Sequence, residues 1–185
     1  MVNSREPLKH IKRTIEMMRK INKIVIHCSA TRSSMDVGVK EIRSWHVDGR
    51  GWRDIGYHVV VRRNGSIEIG RPLEMSGAHA KGFNKDSIGV CWVGGVNDQI
   101  KPENNMTSKQ EQALWGVVKG FMEKFDLGKE DVVGHRDLPD VNKACPSFDV
   151  KEWLDKKQWF NGKDQEHKTG TLVKRKSTKH TKRRR

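Results

Sequence analysis

The stretch GHRDLPDVNKACPSFD, residues 134–149, places a histidine and a cysteine in one short segment that also contains two prolines. Proline lacks a backbone N–H and ends helices and central strands, so Pro139 and Pro146 predict a tight loop. An imidazole and a thiolate brought together by a loop are ligands that suit zinc. Because His135 and Cys145 alone make a poor metal site, we expect a third ligand from elsewhere in the chain.

The best candidate for that ligand is His27, where the short apolar run of KIVIHCSAT (residues 23–31) meets a polar turn. Together with His135 and Cys145 it would give a three-ligand zinc site with one open position, which is typical of a catalytic metal. Residue type alone leaves the alternative open, because lone histidines and cysteines are more often core or surface residues than ligands. Side chains alternate along a strand, so Cys28 should point away from His27 and is interpreted as packing.

The chain has 185 residues, enough for one domain that buries a core without disulfides. Its three cysteines are too few and of the wrong parity for a secreted disulfide framework, and Cys91 is interpreted as a small core residue. No run approaches the ~18 apolar residues of a membrane span, and the N-terminus lacks the apolar core of a signal peptide. We therefore expect a cytoplasmic protein that stays there until something else releases it.

The net charge of +14 is concentrated at the two ends of the chain. Residues 1–23 carry +5 and residues 163–185 carry +8, which leaves +1 for the segment between them. The charge pattern predicts a basic amphipathic extension (1–23), a nearly neutral catalytic domain (24–160) and a basic, disordered tail (161–185). Apolar residues at helical spacing in 8–21 fit an extra helix packed on the domain, a segment attracted to an anionic envelope, or a partner contact.

Hydrophobic patterning predicts strands that alternate with helices, plus one hairpin at Asn64-Gly65. Thr107 and Gln110 form the signature of a capping box at the start of the longest helix. The core stripe predicted for this helix is Leu114, Val117, Val118, Phe121 and Phe125. The predicted strands are 24–27, 57–63, 66–71, 87–93 and 131–133, and the predicted helices are 39–47, 107–125 and 150–157. The fold class that follows is α/β: a single domain with a mixed, mainly central β-sheet of about five strands, flanked by helices on both sides.

Two polar features lie near the ends of these strands. Tyr57, the only tyrosine, stands where a loop enters a strand, at the expected rim of a site. The Gly-rich segment GAHAKGFN, residues 77–84, is typical of a binding loop, in which His79 is a fourth ligand, a substrate hydrogen-bonder or a loop anchor. His46 is a further potential ligand, although a histidine beside Trp45 on a helix face is more often structural.

Six blocks of this sequence, in order, resemble the zinc amidase family shared by phage endolysins and peptidoglycan-recognition proteins, most closely its members from T-seven-like phages. The blocks are HCSAT, EIRSWH, IGYHVVVRRNG, GAHAKGFN, SIGVCWVGG and KACPSFD. The resemblance spans about residues 24–153. It implies N-acetylmuramoyl-L-alanine amidase activity, the hydrolysis of the amide between muramic acid and L-alanine in peptidoglycan by a water that one zinc ion activates.

The resemblance also implies roles for individual residues. His27, His135 and Cys145 match the zinc ligands of the family. Tyr57 and Lys143 match residues beside the metal, where a hydroxyl and an ammonium would stabilise the oxyanion, although Lys143 also fits a solvated loop lysine. His79 and Asn84 fall in the family's substrate groove. Binding-only members of the family lack the cysteine ligand, so its presence favours an enzyme.

These implications lead to a phage or prophage endolysin, a monomer that reaches the cell wall after a separate membrane pore releases it. The basic termini would assist its approach to an anionic outer membrane or wall polymer. The alternatives are a binding or regulatory module, either a peptidoglycan receptor or an inhibitor of the phage RNA polymerase, and a tail that binds nucleic acid nonspecifically.

Overall fold

The computed structural model describes residues 19–157, which contain a five-stranded mixed sheet. The predicted helical pattern in 8–21 lies mostly outside these residues, and the predicted basic tail beyond 160 lies entirely outside them. The strand order is β3-β2-β4-β1-β5, with a parallel core and an antiparallel hairpin of β2 and β3 at one edge. The strands are β1 (Lys23–Cys28), β2 (Val59–Val61), β3 (Ile67–Ile69), β4 (Ser87–Trp92) and β5 (Val132–Gly134).

The hairpin forms where the sequence predicts it, but its strands are shorter than the predicted 57–63 and 66–71. Gly65 takes a φ of +86° in the turn, a conformation that glycine adopts without strain. Beyond Ile69 the two segments stay hydrogen-bonded outside the regular ladder, since the N–H groups of Gly70 and Arg71 donate to the carbonyls of His58 and Tyr57 at 2.9 Å each. The predicted antiparallel pair is therefore confirmed with different ends.

Three helices pack against the sheet: α1 (Val39–Val47), α2 (Ser108–Phe125) and α3 (Val150–Asp155). The predicted capping box opens α2, since the N–H of Gln110 donates to Thr107 Oγ1 and the N–H of Thr107 donates to Gln110 Oε1, each at 3.1 Å. The last helix ends two residues before the predicted 157. None of the helices within residues 19–157 combines the length and apolar character needed to cross a bilayer.

The buried stripe of α2 differs from the predicted one. Leu114 and Val118 are buried as predicted, whereas Val117, Phe121 and Phe125 are only partly buried and Met122 is buried instead. The buried positions follow one another at steps of four residues, beginning at Gln110. The Gln110 side chain is also fully buried and donates to the carbonyls of Val61 and Val93, so a polar residue occupies a position that apolar patterning cannot find.

The two faces of the sheet are covered by different helices. Register neighbours point to the same side, so His27, Cys91 and Val60 share one face, where α1 contributes Ile42 to the same buried cluster. On the other face Trp92 contacts Phe148, which in turn contacts Trp153 of α3. The predicted arrangement of helices on both sides of a central sheet is confirmed.

The parallel pairing of β1 with β5 brings two predicted ligands together. Ile26 pairs with Gly134 in the register, so the next residues, His27 and His135, leave neighbouring strands side by side. The carboxyl ends of parallel strands meet at one edge of a sheet, which is where open α/β sheets bind ligands.

Candidate metal centre

Three side chains from distant parts of the sequence converge at this edge of the sheet. His27 lies near the end of β1, His135 begins the 3₁₀ turn that follows β5, and Cys145 belongs to the loop beyond that turn. Their ligand atoms all lie within 4.8 Å of one another. The Sγ of Cys145 is 3.7 Å from the Nδ1 of His27, and the two imidazole centroids are 4.5 Å apart. The structure thus brings together the three residues that the sequence singles out as ligands.

Hydrogen bonds from backbone N–H groups hold the 3₁₀ turn, the cysteine loop and the end of β1 together. The N–H of Arg136 donates to the carbonyl of Cys145 at 2.8 Å, and the N–H of Gly134 donates to the Asp137 carboxylate at 2.9 Å. The backbone N–H of Cys28 points at the Sγ of Cys145, 3.3 Å away. Because a backbone donor favours a thiolate, this contact favours the form of Cys145 that binds a metal. The Cys28 side chain lies 3.6 Å from the Ser147 hydroxyl and also interacts with the Cys145 thiol.

The protonation of the cluster is set mainly by burial. Burial, followed by the neighbouring His79 and His135, holds the pKa of His27 well below its usual value. Burial and then the Lys143 charge lower the pKa of His135. Both imidazoles are therefore neutral near pH 7, the form that binds metals. The hydrogen bond with the Cys28 thiol, followed by burial, raises the pKa of Cys145, and a bound cation would favour its thiolate form.

The donor set fits zinc. Two neutral imidazoles and one cysteine sulfur are the three-ligand complement of a catalytic zinc site with one open position. Ligand bonds of ~2.3 Å to sulfur and ~2.05 Å to nitrogen place tetrahedral S and N ligands ~3.6 Å apart. The Cys145–His27 separation of 3.7 Å matches that spacing.

Tyr57 borders the centre. Its ring centroid lies 5.1 Å from that of His27, and its partly buried side chain packs against the apolar cluster that contains Cys91 and Ile42. Burial, with smaller contributions from Cys91 and the other cysteines, raises the pKa of the phenol well above its usual value. The hydroxyl therefore keeps its proton and is a hydrogen-bond donor rather than a base.

Lys143 is exposed, and its positive charge lowers the pKa of both His27 and His135. An electrostatic effect on both imidazoles indicates that the ammonium group lies near the centre. The catalytic role inferred for it from the family resemblance stays a prediction.

His79 and Asn84 make contacts within the protein. His79 is buried, with its Nδ1 3.0 Å from the Nε2 of His27, and burial followed by the nearby His58 lowers its pKa to about 3. The side-chain oxygen of Asn84 accepts from the backbone N–H groups of His79 and Ala80 at 2.8 and 2.9 Å. Of the three roles considered for His79, that of a fourth ligand does not match the structure. Within residues 19–157, the group of side chains placed to bind a metal consists of His27, His135 and Cys145. The predicted substrate contacts of His79 and Asn84 stay predictions.

His46 and Cys91 have structural surroundings. The Nδ1 of His46 accepts from the N–H of Gly56 at 3.0 Å, and its ring lies 4.6 Å from that of Trp52. Cys91 is fully buried in the core, as the sequence predicts.

Sequence reasoning missed the surroundings of His79. A Cβ at Gly77 or at Gly89 would collide with the His79 ring, so both glycines leave room for it. The available signal was Gly89 itself, because a glycine inside a buried strand often marks a close approach. The hydroxyl of Ser87, 3.4 Å from the Nε2 of His79, was also missed.

The chain is similar to known proteins both in sequence and in fold. Residues 17–148 match the family described as N-acetylmuramoyl-L-alanine amidase. The endolysin of Klebsiella phage KP32 is 44% identical over 137 residues, which cover 74% of this chain and 87% of that protein. The endolysin of Escherichia phage T7 is 45% identical over 135 residues, which cover 73% of this chain and 86% of that protein. The solved structure of N-acetylmuramoyl-L-alanine amidase LysC from Clostridium intestinale superposes with a TM-score of 0.61 and 27% identity, covering 76% of this chain and 89% of that one.

Proposed function

The chain belongs to the N-acetylmuramoyl-L-alanine amidase family and is an amidase of the phage endolysin type, and from this premise we propose that one zinc ion held by His27, His135 and Cys145 serves its reaction. Its substrate is peptidoglycan. The bond that it cleaves is the amide between the lactyl group of muramic acid and L-alanine, and it acts on the cell wall after release from the cytoplasm.

The observation that carries the zinc proposal is the convergence of the three ligand atoms within 4.8 Å at the carboxyl ends of β1 and β5. When bound there, zinc supplies a Lewis acid that lowers the pKa of water to ~7 and polarises a carbonyl. The protein contributes two imidazoles that burial keeps neutral and a sulfur already approached by a backbone donor, the N–H of Cys28.

Two side chains beside the centre are assigned to the developing negative charge on the amide oxygen. The Tyr57 hydroxyl retains its proton because burial raises its pKa, so it is available as a donor. The Lys143 ammonium is a cation close enough to shift both imidazoles, and the same field would favour an oxyanion. Donors placed at an oxyanion typically contribute ~10²–10³ in rate.

The test combines metal analysis with mass spectrometry of digested muropeptides. Wild-type protein should contain one zinc per chain and release peptides with a free N-terminal L-alanine. Cys145→Ser should lose both properties, because it removes the thiolate ligand. Cys28→Ala is the matched control. It removes a neighbouring thiol but keeps the N–H of residue 28 that points at the Sγ of Cys145, and it should retain both the zinc and the hydrolysis. Full hydrolysis after exhaustive chelation would rule out the metal mechanism.

A wall-binding receptor without hydrolysis is the alternative from a different class. A receptor would bind purified walls and release no free N-terminal alanine, so the same digest separates the two functions. The cysteine ligand, whose loss the family resemblance associates with binding-only members, is present here as Cys145. This favours the amidase.

A further inference from the structure

A line of buried polar groups runs away from the metal centre behind His27. The Nε2 of His27 lies 3.0 Å from the Nδ1 of His79, and the Nε2 of His79 lies 3.4 Å from the hydroxyl of Ser87. That hydroxyl lies 2.5 Å from the carbonyl oxygen of Phe83. His27, His79 and Ser87 are all buried, so these groups depend on one another for hydrogen bonds.

The Phe83 carbonyl, at the far end of this line, determines the direction of each hydrogen bond in it. A carbonyl oxygen only accepts, so the Ser87 hydroxyl donates to Phe83 and must accept from the Nε2–H of His79. A neutral imidazole with a proton on Nε2 has its lone pair on Nδ1. The Nδ1 of His79 therefore accepts from the Nε2–H of His27. The remaining lone pair of His27 is on Nδ1, the atom that faces Cys145 at 3.7 Å.

The ring of His79 is fixed independently of these hydrogen bonds. Gly77 and Gly89 leave the space it fills, since a Cβ at either position would collide with the ring. Asn84 accepts from the backbone N–H of His79 and so anchors the loop that carries it. The acceptor presented to His27 is thus rigidly placed by packing and by backbone contacts.

We propose that His79 is a positioning residue that fixes both the orientation and the tautomer of the metal ligand His27, with Ser87 and Phe83 setting the direction of the hydrogen bonds. This inference rests on the proposed zinc site and assigns His79 a place behind the ligand His27. Groups that orient a metal-ligating histidine in this way typically affect metal affinity ~10–100-fold.

The test measures zinc affinity by competition with a chromophoric chelator and the tautomer of His27 by histidine ¹⁵N NMR, before and after zinc removal from the full-length protein. In the metal-free wild type, His27 should carry its proton on Nε2. His79→Leu removes the acceptor and should lower zinc affinity ~10–100-fold while giving a mixture of His27 tautomers. His79→Asn offers an amide oxygen where Nδ1 was and should recover most of the affinity.

Ser87→Ala provides a second variant that leaves both imidazoles in place. Without the Ser87 hydroxyl as acceptor, His79 can carry its proton on Nδ1 and donate it to the Nε2 of His27. The Nδ1–H form of His27 should therefore increase, and zinc affinity should fall. Denaturant unfolding of each variant separates these effects from loss of the fold.

A metal-free wild type in which His27 carries its proton on Nδ1 would overturn the inference. So would a folded His79→Leu protein with wild-type affinity and tautomer, or a His79→Asn protein no better than His79→Leu. Failure of the proposed function has a different signature, namely wild-type protein that leaves muropeptides uncut.

Discussion

Tyr57 illustrates how one residue's surroundings determine what it can contribute. Its ring lies beside His27, and burial raises its pKa well above the usual value. A phenol that keeps its proton cannot take one from water, so Tyr57 acts as a donor to the oxyanion rather than as a general base. The same reasoning separates it from His79, which is as close to His27 but is enclosed by protein groups.

We therefore expect Tyr57→Phe to retain bound zinc and to lose ~10²–10³ in kcat, because a single oxyanion donor is removed while the ring and its packing remain. Zinc content and kcat on purified peptidoglycan are the measurements. His46→Asn, which changes a buried residue on α1 that also lies near the Tyr57 ring, is the control and should keep kcat within a few-fold of wild type. An unchanged kcat in Tyr57→Phe would remove this residue from the reaction.

At the scale of elements, the site depends on strand register, and this limits what sequence can predict. His27 and His135 follow short β-branched runs, so their positions at strand ends were predictable from pattern alone. Their adjacency depends on the pairing of Ile26 with Gly134, a contact between distant segments that no local pattern encodes. Cys145 was predictable because it is near His135 in sequence and prolines force a loop.

The errors in the predicted elements share one physical cause, which is that tertiary contacts override local patterns. The apolar residues Phe121 and Phe125 remain partly exposed while Met122 is buried, because the sheet determines which stripe of α2 is covered. Gly89, a glycine inside a buried strand, indicates a close approach but not its partner, and only the folded chain identifies the His79 ring as the group that fills the space.

Two glycines in different elements should respond oppositely to the same substitution. Gly89→Ala puts a Cβ against the His79 ring and should lower the free energy of unfolding by ~1–3 kcal/mol, as overpacking does. Gly120→Ala adds a Cβ with nothing within 4 Å on the exposed side of α2 and should raise it by ~0.5–1 kcal/mol. Urea unfolding of the metal-free proteins measures both. Equal effects from the two substitutions would contradict the contact at Gly89.

At the scale of the whole molecule, buried histidines make the free energy of unfolding depend on pH. Burial is the main cause that lowers the pKa of His46 and of His58 to about 4 in each case. In the unfolded chain a histidine has a pKa of ~6.5. At a pH between the folded and unfolded pKa values, these histidines bind protons in the unfolded state but not in the folded state. Stability is therefore lost as the pH falls from ~6.5 toward 4.

The free energy of unfolding of the metal-free protein should therefore decline over this window, by up to ~1.4 kcal/mol per pH unit for each such histidine, and should be insensitive to these residues above pH ~6.5. His46→Asn keeps an acceptor for the Gly56 N–H and removes one titrating group. Denaturant unfolding at several pH values should show a slope smaller by about one proton for this variant. An identical slope would mean that His46 accepts a proton within the folded protein.

The uneven distribution of charge leads to a prediction about how the whole molecule reaches its substrate. Residues 163–185 carry +8 of the net +14, whereas residues 24–162 carry +1. We propose that the terminal charge serves attraction to anionic envelope polymers, while the catalytic centre works without it. Such attraction between exposed charges is screened beyond ~10 Å at 0.1 M salt.

Deletion of residues 163–185 should leave hydrolysis of purified peptidoglycan unchanged and reduce both binding to vesicles of anionic lipid and lysis of outer-membrane-permeabilised Gram-negative cells. A variant with the lysines and arginines of this segment changed to serine keeps its length and should match the deletion, because charge rather than chain length is responsible. Added salt should remove the advantage of the full chain, since counterions screen the attraction. If both variants lose only retention on DNA and keep vesicle binding and lysis, the segment serves nucleic acid instead, and the charge has no part in reaching the wall.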